Sequence, residues 1–220
     1  MQGRRYTGSA LATGVCWHWS RVADGHDALL DPAERARCSG FGSAERRRSF
    51  VAGRTALKTL VARQLGQPPG AVHVRVLEDG SPAVPGPGHV SLAHSGHWAV
   101  AVWAPVAIGI DVEQIQPRDP AVARFLFAPD DRSILQALPG TASEQLVLAW
   151  TLKEAVLKAR RSGFRCSPKS IRLQVDTQAQ TARAVVTRDT PHDHWRLGYG
   201  RREDYWWAWA LPDARPEDAP

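Results

Sequence analysis

The stretch from Glu144 to Ala159 constrains the fold more than any other. Leu146, Val147, Leu148, Ala149, Trp150, Leu152, Ala155, Val156, Leu157 and Ala159 leave almost no polar face on a helix. A helix apolar nearly all round is normally buried, so other elements must wrap around this one. Its exceptions are Lys153, Glu154 and Lys158. On a wet surface Glu154 and Lys158, at i and i+4, form an ordinary ion pair worth ~0.2–0.5 kcal/mol. Glu154, however, shares its face with Val147, Trp150 and Leu157. Its charge is drawn into an apolar setting, where charges need partners.

A second acidic motif offers them. Ile108-Gly109-Ile110-Asp111-Val112-Glu113 reads as a strand, and alternation along a strand sends Asp111 and Glu113 to one face. Carboxylates that close repel unless a cation or a shared proton lies between them. Asp111, Glu113 and Glu154 would form three oxygen ligands with no nearby cysteine or clustered histidine. Such a set suits Mg²⁺, which usually also keeps water and a substrate phosphate. The expectation is a metal-dependent enzyme acting on a phosphate compound.

At 220 residues, 43% of them hydrophobic, the chain is long enough for one sizeable domain or two small lobes. No apolar run approaches the ~20 residues of a membrane helix. Arg4 and Arg5 precede Ala10 to Val15, a segment too short and broken for a signal peptide and read as the start of a first strand. Cys16, Cys38 and Cys166 are far apart, which argues against a disulfide framework or a cysteine zinc site and for reduced thiols in the cytoplasm. A net charge of +6 fits nucleic acid, an acidic protein or a polyphosphate, and does not choose among them.

The order of elements reads as α+β. A strand passes through Cys16 to Trp19. Asp31-Pro32 opens a short helix, and a longer one runs from about Ser43 to Leu65, stopped by Gly66 and Pro68-Pro69. Val72, Val74 and Val76 alternate as a strand before an Asp79-Gly80 hairpin turn. His89 to Leu92, Trp98 to Trp103 and Val106 to Val112 are three more strands. Beyond Pro117 to Pro120 come two helical stretches and the main helix to Arg160. Strands at Ile171 to Val175, Ala182 to Val186 and Tyr205 to Ala210 follow. The lobes are assigned to 1–107 and 108–212, with 213–220 a flexible tail.

Arg47, Arg54 and Lys58 lie at i, i+7 and i+11, one stripe of a helix that either holds phosphates or is a solvated face. Arg46 and Arg48 point elsewhere. His94 and His97 lack a third ligand at zinc spacing, and His192 and His194 have no supporting motif.

Taken in order, these motifs resemble the Sfp-type 4′-phosphopantetheinyl transferases. The resembling residues are Gly53-Arg54-Thr55-Ala56-Leu57-Lys58, Gly80-x-Pro82, Ser91-Leu92-Ala93-His94-Ser95, Gly109 to Glu113, Trp150-Thr151-x-Lys153-Glu154-Ala155-x-x-Lys158, and Gly163-Phe164. The resemblance implies a pseudo-dimer of two similar α+β lobes with coenzyme A in the cleft. It implies Mg²⁺ on Asp111, Glu113 and Glu154, and Lys158 neutralising the pyrophosphate. Arg54, Lys58, Gly80, His94, Ser95 and Lys153 would bind the nucleotide. Asp131 falls where the family often has another acid near the metal, alongside Glu154 and Lys158 as catalytic candidates. Ser81 stands where the family commonly has lysine, and Ala93 where it commonly has serine. Both changes remove contacts to coenzyme A phosphates.

The implied reaction moves phosphopantetheine from coenzyme A to a serine of an apo carrier protein, acyl or peptidyl, releasing adenosine 3′,5′-bisphosphate. The carrier is acidic, the enzyme a monomer. A nucleic-acid-binding module would need aromatics interleaved with basic residues, and the tryptophans lie in core-like strands instead. A nucleotide-triphosphate phosphotransferase would need a glycine-rich phosphate loop, which is missing.

Overall fold

The computed structural model describes residues 14–162, 165–188 and 193–213. The Arg4-Arg5 segment and Ala10 to Thr13, the Gly163-Phe164 motif, His192 and the tail from Ala214 lie outside the described residues. The chain is α+β and divides into two compact units, Met1–Pro105 and Val106–Pro220. Among the described residues no helix is long and apolar enough to cross a membrane.

In the first unit β1 (Cys16–Arg21), β4 (His89–Ser95) and β5 (Trp98–Ala104) form an antiparallel sheet of order β1-β5-β4. Helix α1 (Pro32–Ser39) starts at a complete capping box. Asp31 Oδ1 accepts from the Glu34 N–H and Glu34 Oε2 from the Asp31 N–H, with Pro32 at the first turn. Helix α2 (Ala44–Leu65) is capped by Ser43 and ended by Gly66 at φ 64°, the left-handed stop that glycine permits. Ala56, Leu57, Leu60 and Val61 of α2 pack with Val90 and Ala101 of the sheet.

Two strand expectations change here. Pro69 opens a turn of 3₁₀ helix to Ala71, so Val72 and Val74 reach the core from irregular chain. Only Val76 lies in a strand, β2 (Arg75–Val76), paired with β3 (Pro82–Ala83). Strand β4 runs on to Ser95, beyond Leu92, because the β4–β5 ladder closes at Ser95 opposite Trp98 around Gly96 at φ 51°. A two-residue hairpin turn of that kind matches the strand twist.

The second unit is a five-stranded antiparallel sheet of order β6-β10-β9-β8-β7. Its strands are β6 (Gly109–Gln114), β7 (Ile171–Asp176), β8 (Thr181–Val186), β9 (Asp193–Arg202) and β10 (Tyr205–Pro212). Two short helices, α3 (Ala121–Leu126) and α4 (Ile134–Ala137), precede α5 (Ala142–Arg160). Helix α5 lies on the sheet, with Leu148, Leu152 and Val156 in one core with Ile171, Ala184, Leu197 and Ala208.

Strand β9 was not anticipated from the sequence, although Trp195, Leu197 and Tyr199 alternate within it. Gly198 and Gly200 hide it, since glycine is depleted in strands. Each glycine makes room for a tryptophan across the ladder. A Cβ at Gly198 would meet Trp209, and one at Gly200 would meet Trp207, at 2.5 Å in both cases. Strand β10 continues through Pro212, and the Asp213 N–H just beyond it donates to the His194 carbonyl.

Candidate active site

The alternation along β6 puts Gly109, Asp111 and Glu113 on the face toward α5. A β-carbon on Gly109 would overlap the Ala155 carbonyl oxygen and crowd the Ala159 N–H. Glycine facing alanine is therefore what lets strand and helix approach so closely, and that approach carries Asp111 up to the helix. Helix α5 is buried along most of its length. Beyond its first turn, the partly open positions at Trp150, Glu154 and Lys158 recur every four residues, a single stripe. The candidate site is where that stripe meets Asp111.

Lys158 Nζ donates to Asp111 Oδ1 at 2.7 Å. Asp111 Oδ2 is buried with no hydrogen-bond partner among the described residues. Burial pushes the Asp111 carboxyl up, against the opposing pull of Lys158. Burial also pushes Glu154 up, and the neighbouring Asp111 charge pushes it further, with Lys158 again opposing. Two carboxylates thus strain against each other, with one ammonium between sequence-distant elements to hold them. The i,i+4 surface pair of Glu154 and Lys158, the alternative weighed from the sequence, gives way to a pair between helix and strand.

Glu113 is drawn outward, its Oε2 accepting from Arg118 Nη2 at 2.9 Å. Among the described residues no three His, Cys, Asp or Glu side chains are gathered to hold a metal ion. Of the three expected ligands, Asp111 and Glu154 interact with each other and Glu113 stands two residues along β6, paired with an arginine. The pair still fits a hard cation. Mg²⁺ is commonly held by one or two carboxylates plus water and phosphate, and the unpartnered Asp111 Oδ2 is an oxygen donor with nothing to bind.

Residues 107–210 match the 4′-phosphopantetheinyl transferase superfamily. The match lies within the second compact unit, Val106–Pro220. A 4′-phosphopantetheinyl transferase of Bacillus subtilis is 29% identical over 140 residues, 62% of this chain and 62% of its own. HetI, a 4′-phosphopantetheinyl transferase of Nostoc sp., is 34% identical over 146 residues, again 62% of each. The 4′-phosphopantetheinyl transferase Sfp of Bacillus subtilis strain 168 is 24% identical over 156 residues, 69% of this chain and 70% of its own. The match spans less than two thirds of the length of the first two relatives.

Within the matched unit, two of the predicted site residues turn away from the acidic pair. Lys153 is fully buried, and its Nζ donates to the Leu126 carbonyl at 2.8 Å and the Pro168 carbonyl at 3.0 Å. It sits over the Phe127 ring and 3.8 Å from Asp131 Oδ2. Asp131 also faces Arg172 Nη1 at 3.4 Å. Five residues along a helix turn the side chain by about 140°, so Lys153 and Lys158 leave α5 on different sides. Lys153 and Asp131 therefore tie α5 to the segment after α3. In this arrangement two of the three Lys153 donors are taken by backbone carbonyls and its charge faces Asp131.

The basic stripe on α2 is likewise drawn inward. Lys58 is fully buried, donating to the Leu29 carbonyl at 2.8 Å and pairing with Glu34 Oε2 at 2.7 Å. Arg54 Nε lies 3.1 Å from Glu34 Oε1, close enough for charge but off the angle of a hydrogen bond. Its guanidinium stacks over Phe50. Glu34 was not singled out from the sequence, and the structure makes it both a capping residue and an internal counter-ion. His94 is exposed on β4, and a Cβ on Gly53 would touch its ring edge at 3.9 Å. Ser95 closes the same strand. Gly80, at φ 81°, makes the β2–β3 turn, where Asp79 Oδ1 accepts from Ser81 N and Oγ. Ser81 therefore serves the turn.

Proposed function

We propose that the chain transfers 4′-phosphopantetheine from coenzyme A to a serine hydroxyl of an apo carrier protein, with Mg²⁺ required. The observation that carries this reading is the Asp111–Glu154–Lys158 constellation, built where α5 meets β6 within the residues that match the superfamily. The serine oxygen attacks the phosphorus that bears pantetheine. The bond from that phosphorus to the bridging oxygen breaks, and adenosine 3′,5′-bisphosphate leaves with the electron pair. Such displacements depend on positioning and charge neutralisation.

When bound, Mg²⁺ would neutralise the pyrophosphate and polarise its oxygens. Asp111 and Glu154 are the residues that would hold it, with Glu113 in reserve beside them. The serine proton passes to Glu154 or to a water it holds. Lys158 brings the ammonium that meets charge on the leaving group. His94 and Ser95 on β4 remain candidates for phosphate contacts from the first unit, as does Gly80 through its backbone. The net charge of +6 suits an acidic carrier.

The test is incubation with coenzyme A, Mg²⁺ and an apo carrier protein, followed by mass measurement of the carrier. A gain of one phosphopantetheine, abolished by EDTA, is the expected result. An unmodified carrier at saturating coenzyme A, across acyl and peptidyl carriers, would overturn the proposal.

A further inference from the structure

The geometry points to Lys158 as the resident cation of the metal-free site: its ammonium holds the place on Asp111 that a divalent cation takes, so metal binding and release of Lys158 are one event. The inference rests on the proposed reading that Asp111 and Glu154 hold the metal, and it adds an order of events to that reading.

Three observations support it. Lys158 Nζ sits 2.7 Å from Asp111 Oδ1 while Asp111 Oδ2 has no partner among the described residues, so half of the carboxylate is served and half is not. Among the described residues, Lys158 is the cation whose charge eases both Asp111 and Glu154. The Lys158 side chain is 32% exposed where Asp111 is 6% exposed, so the ammonium reaches in from solvent on a flexible stem and can swing back. Lys58 and Lys153 differ on that last point, being fully buried and bound to backbone carbonyls. A buried carboxylate pair with no cation is costly. An internal ammonium keeps the site folded and shaped before metal arrives. Once a divalent ion takes over Asp111, the freed ammonium stands one helical turn from Glu154, available to an incoming phosphate. Metal then precedes, and licenses, the contact of Lys158 with substrate.

The chain has only four lysines, Lys58, Lys153, Lys158 and Lys169, so their ammonium groups can be followed individually by ¹H–¹⁵N NMR. Mg²⁺ is titrated into the full chain without coenzyme A, by calorimetry and by NMR, using wild type, Lys158→Met and Asp111→Asn. The Lys158 ammonium signal should move from an ion-paired to a free position as Mg²⁺ saturates, while those of Lys58 and Lys153 stay. Lys158→Met should bind Mg²⁺ about tenfold more tightly, a coupling of ordinary size, and Asp111→Asn should lose binding. Mg²⁺ binding with an unmoved Lys158 signal, or with equal affinity in Lys158→Met, would overturn this inference alone. Failure of Mg²⁺ to bind wild type and Lys158→Met, or undiminished binding to Asp111→Asn, would overturn the metal reading as well.

Discussion

Individual charges in this protein are sorted by what they can reach. Asp111 is destabilising when ionised in the absence of metal, because burial outweighs the pull of Lys158. Asp111→Asn is therefore expected to abolish carrier modification yet to melt at a higher temperature than wild type in EDTA; calorimetric melting and a carrier mass assay check both halves. Lys153 presents the opposite charge in the same predicament. Burial pulls its ammonium down to about 8, with Asp131 opposing. Below that value both folded and unfolded chains carry the proton. Between about 8 and the ordinary lysine value of ~10.4 the unfolded chain binds more protons, so stability rises with pH across that window. Urea titrations at pH 7.5 and 10 should show wild type gaining stability relative to Lys153→Met, on the order of 2–3 kcal/mol. Parallel pH profiles for the two proteins would show that the Lys153 cage favours the charge as strongly as water does.

Elements here are positioned by small residues and by internal counter-ions. Strand β6 meets helix α5 at Gly109, where a β-carbon would strike helix backbone and not a movable side chain. Gly109→Ala should cost about 3 kcal/mol by overpacking and should also lower carrier modification, since the shift separates Asp111 from Glu154. Urea denaturation and initial rates on the folded variant test the two effects. Helix α1 is tied to α2 by Glu34, which at once completes the capping box and neutralises Lys58 and Arg54. Glu34→Ala leaves two buried cations without their carboxylate, and breaking such a pair costs about 3–5 kcal/mol. Denaturation of Glu34→Ala beside the double variant Glu34→Ala/Lys58→Met should show part of that loss restored. The ends of α1 and α2 were legible in the sequence because caps are local: Asp31, Ser43 and Gly66 all lie within four residues of the groups they satisfy, whereas the start of α5, expected at about Ser143, falls at its cap Thr141. Strand β9 was not legible, because its glycines make sense only beside Trp207 and Trp209 of the next strand.

For the molecule as a whole, charge and architecture act at different ranges. The excess of positive charge, +6, acts over about a Debye length and bears on encounter more than on chemistry. With an acidic carrier, kcat/KM should fall several-fold between low and physiological salt while kcat stays nearly constant. Steady-state kinetics at two ionic strengths test this, and a salt-dependent kcat with constant kcat/KM would place the electrostatic effect in the chemical step instead.

The amino-acid sequence by itself determined that a nearly all-apolar helix must be enclosed, where α2 begins and ends, and that Asp111 and Glu113 leave one strand face. Those features depend on period, propensity and capping, which act over a few residues. Only the tertiary structure decided the partners of the charges. Lys158 turned from Glu154, four residues away, to Asp111, 47 residues away. Lys58 and Lys153, which look in sequence like ligand contacts, became internal counter-ions of Glu34 and Asp131. Glu113 went to Arg118. The physical reason is common to all three: an ammonium or carboxylate is governed by the nearest charges and carbonyls in space and by its loss of water, and neither is written in the spacing of residues along the chain.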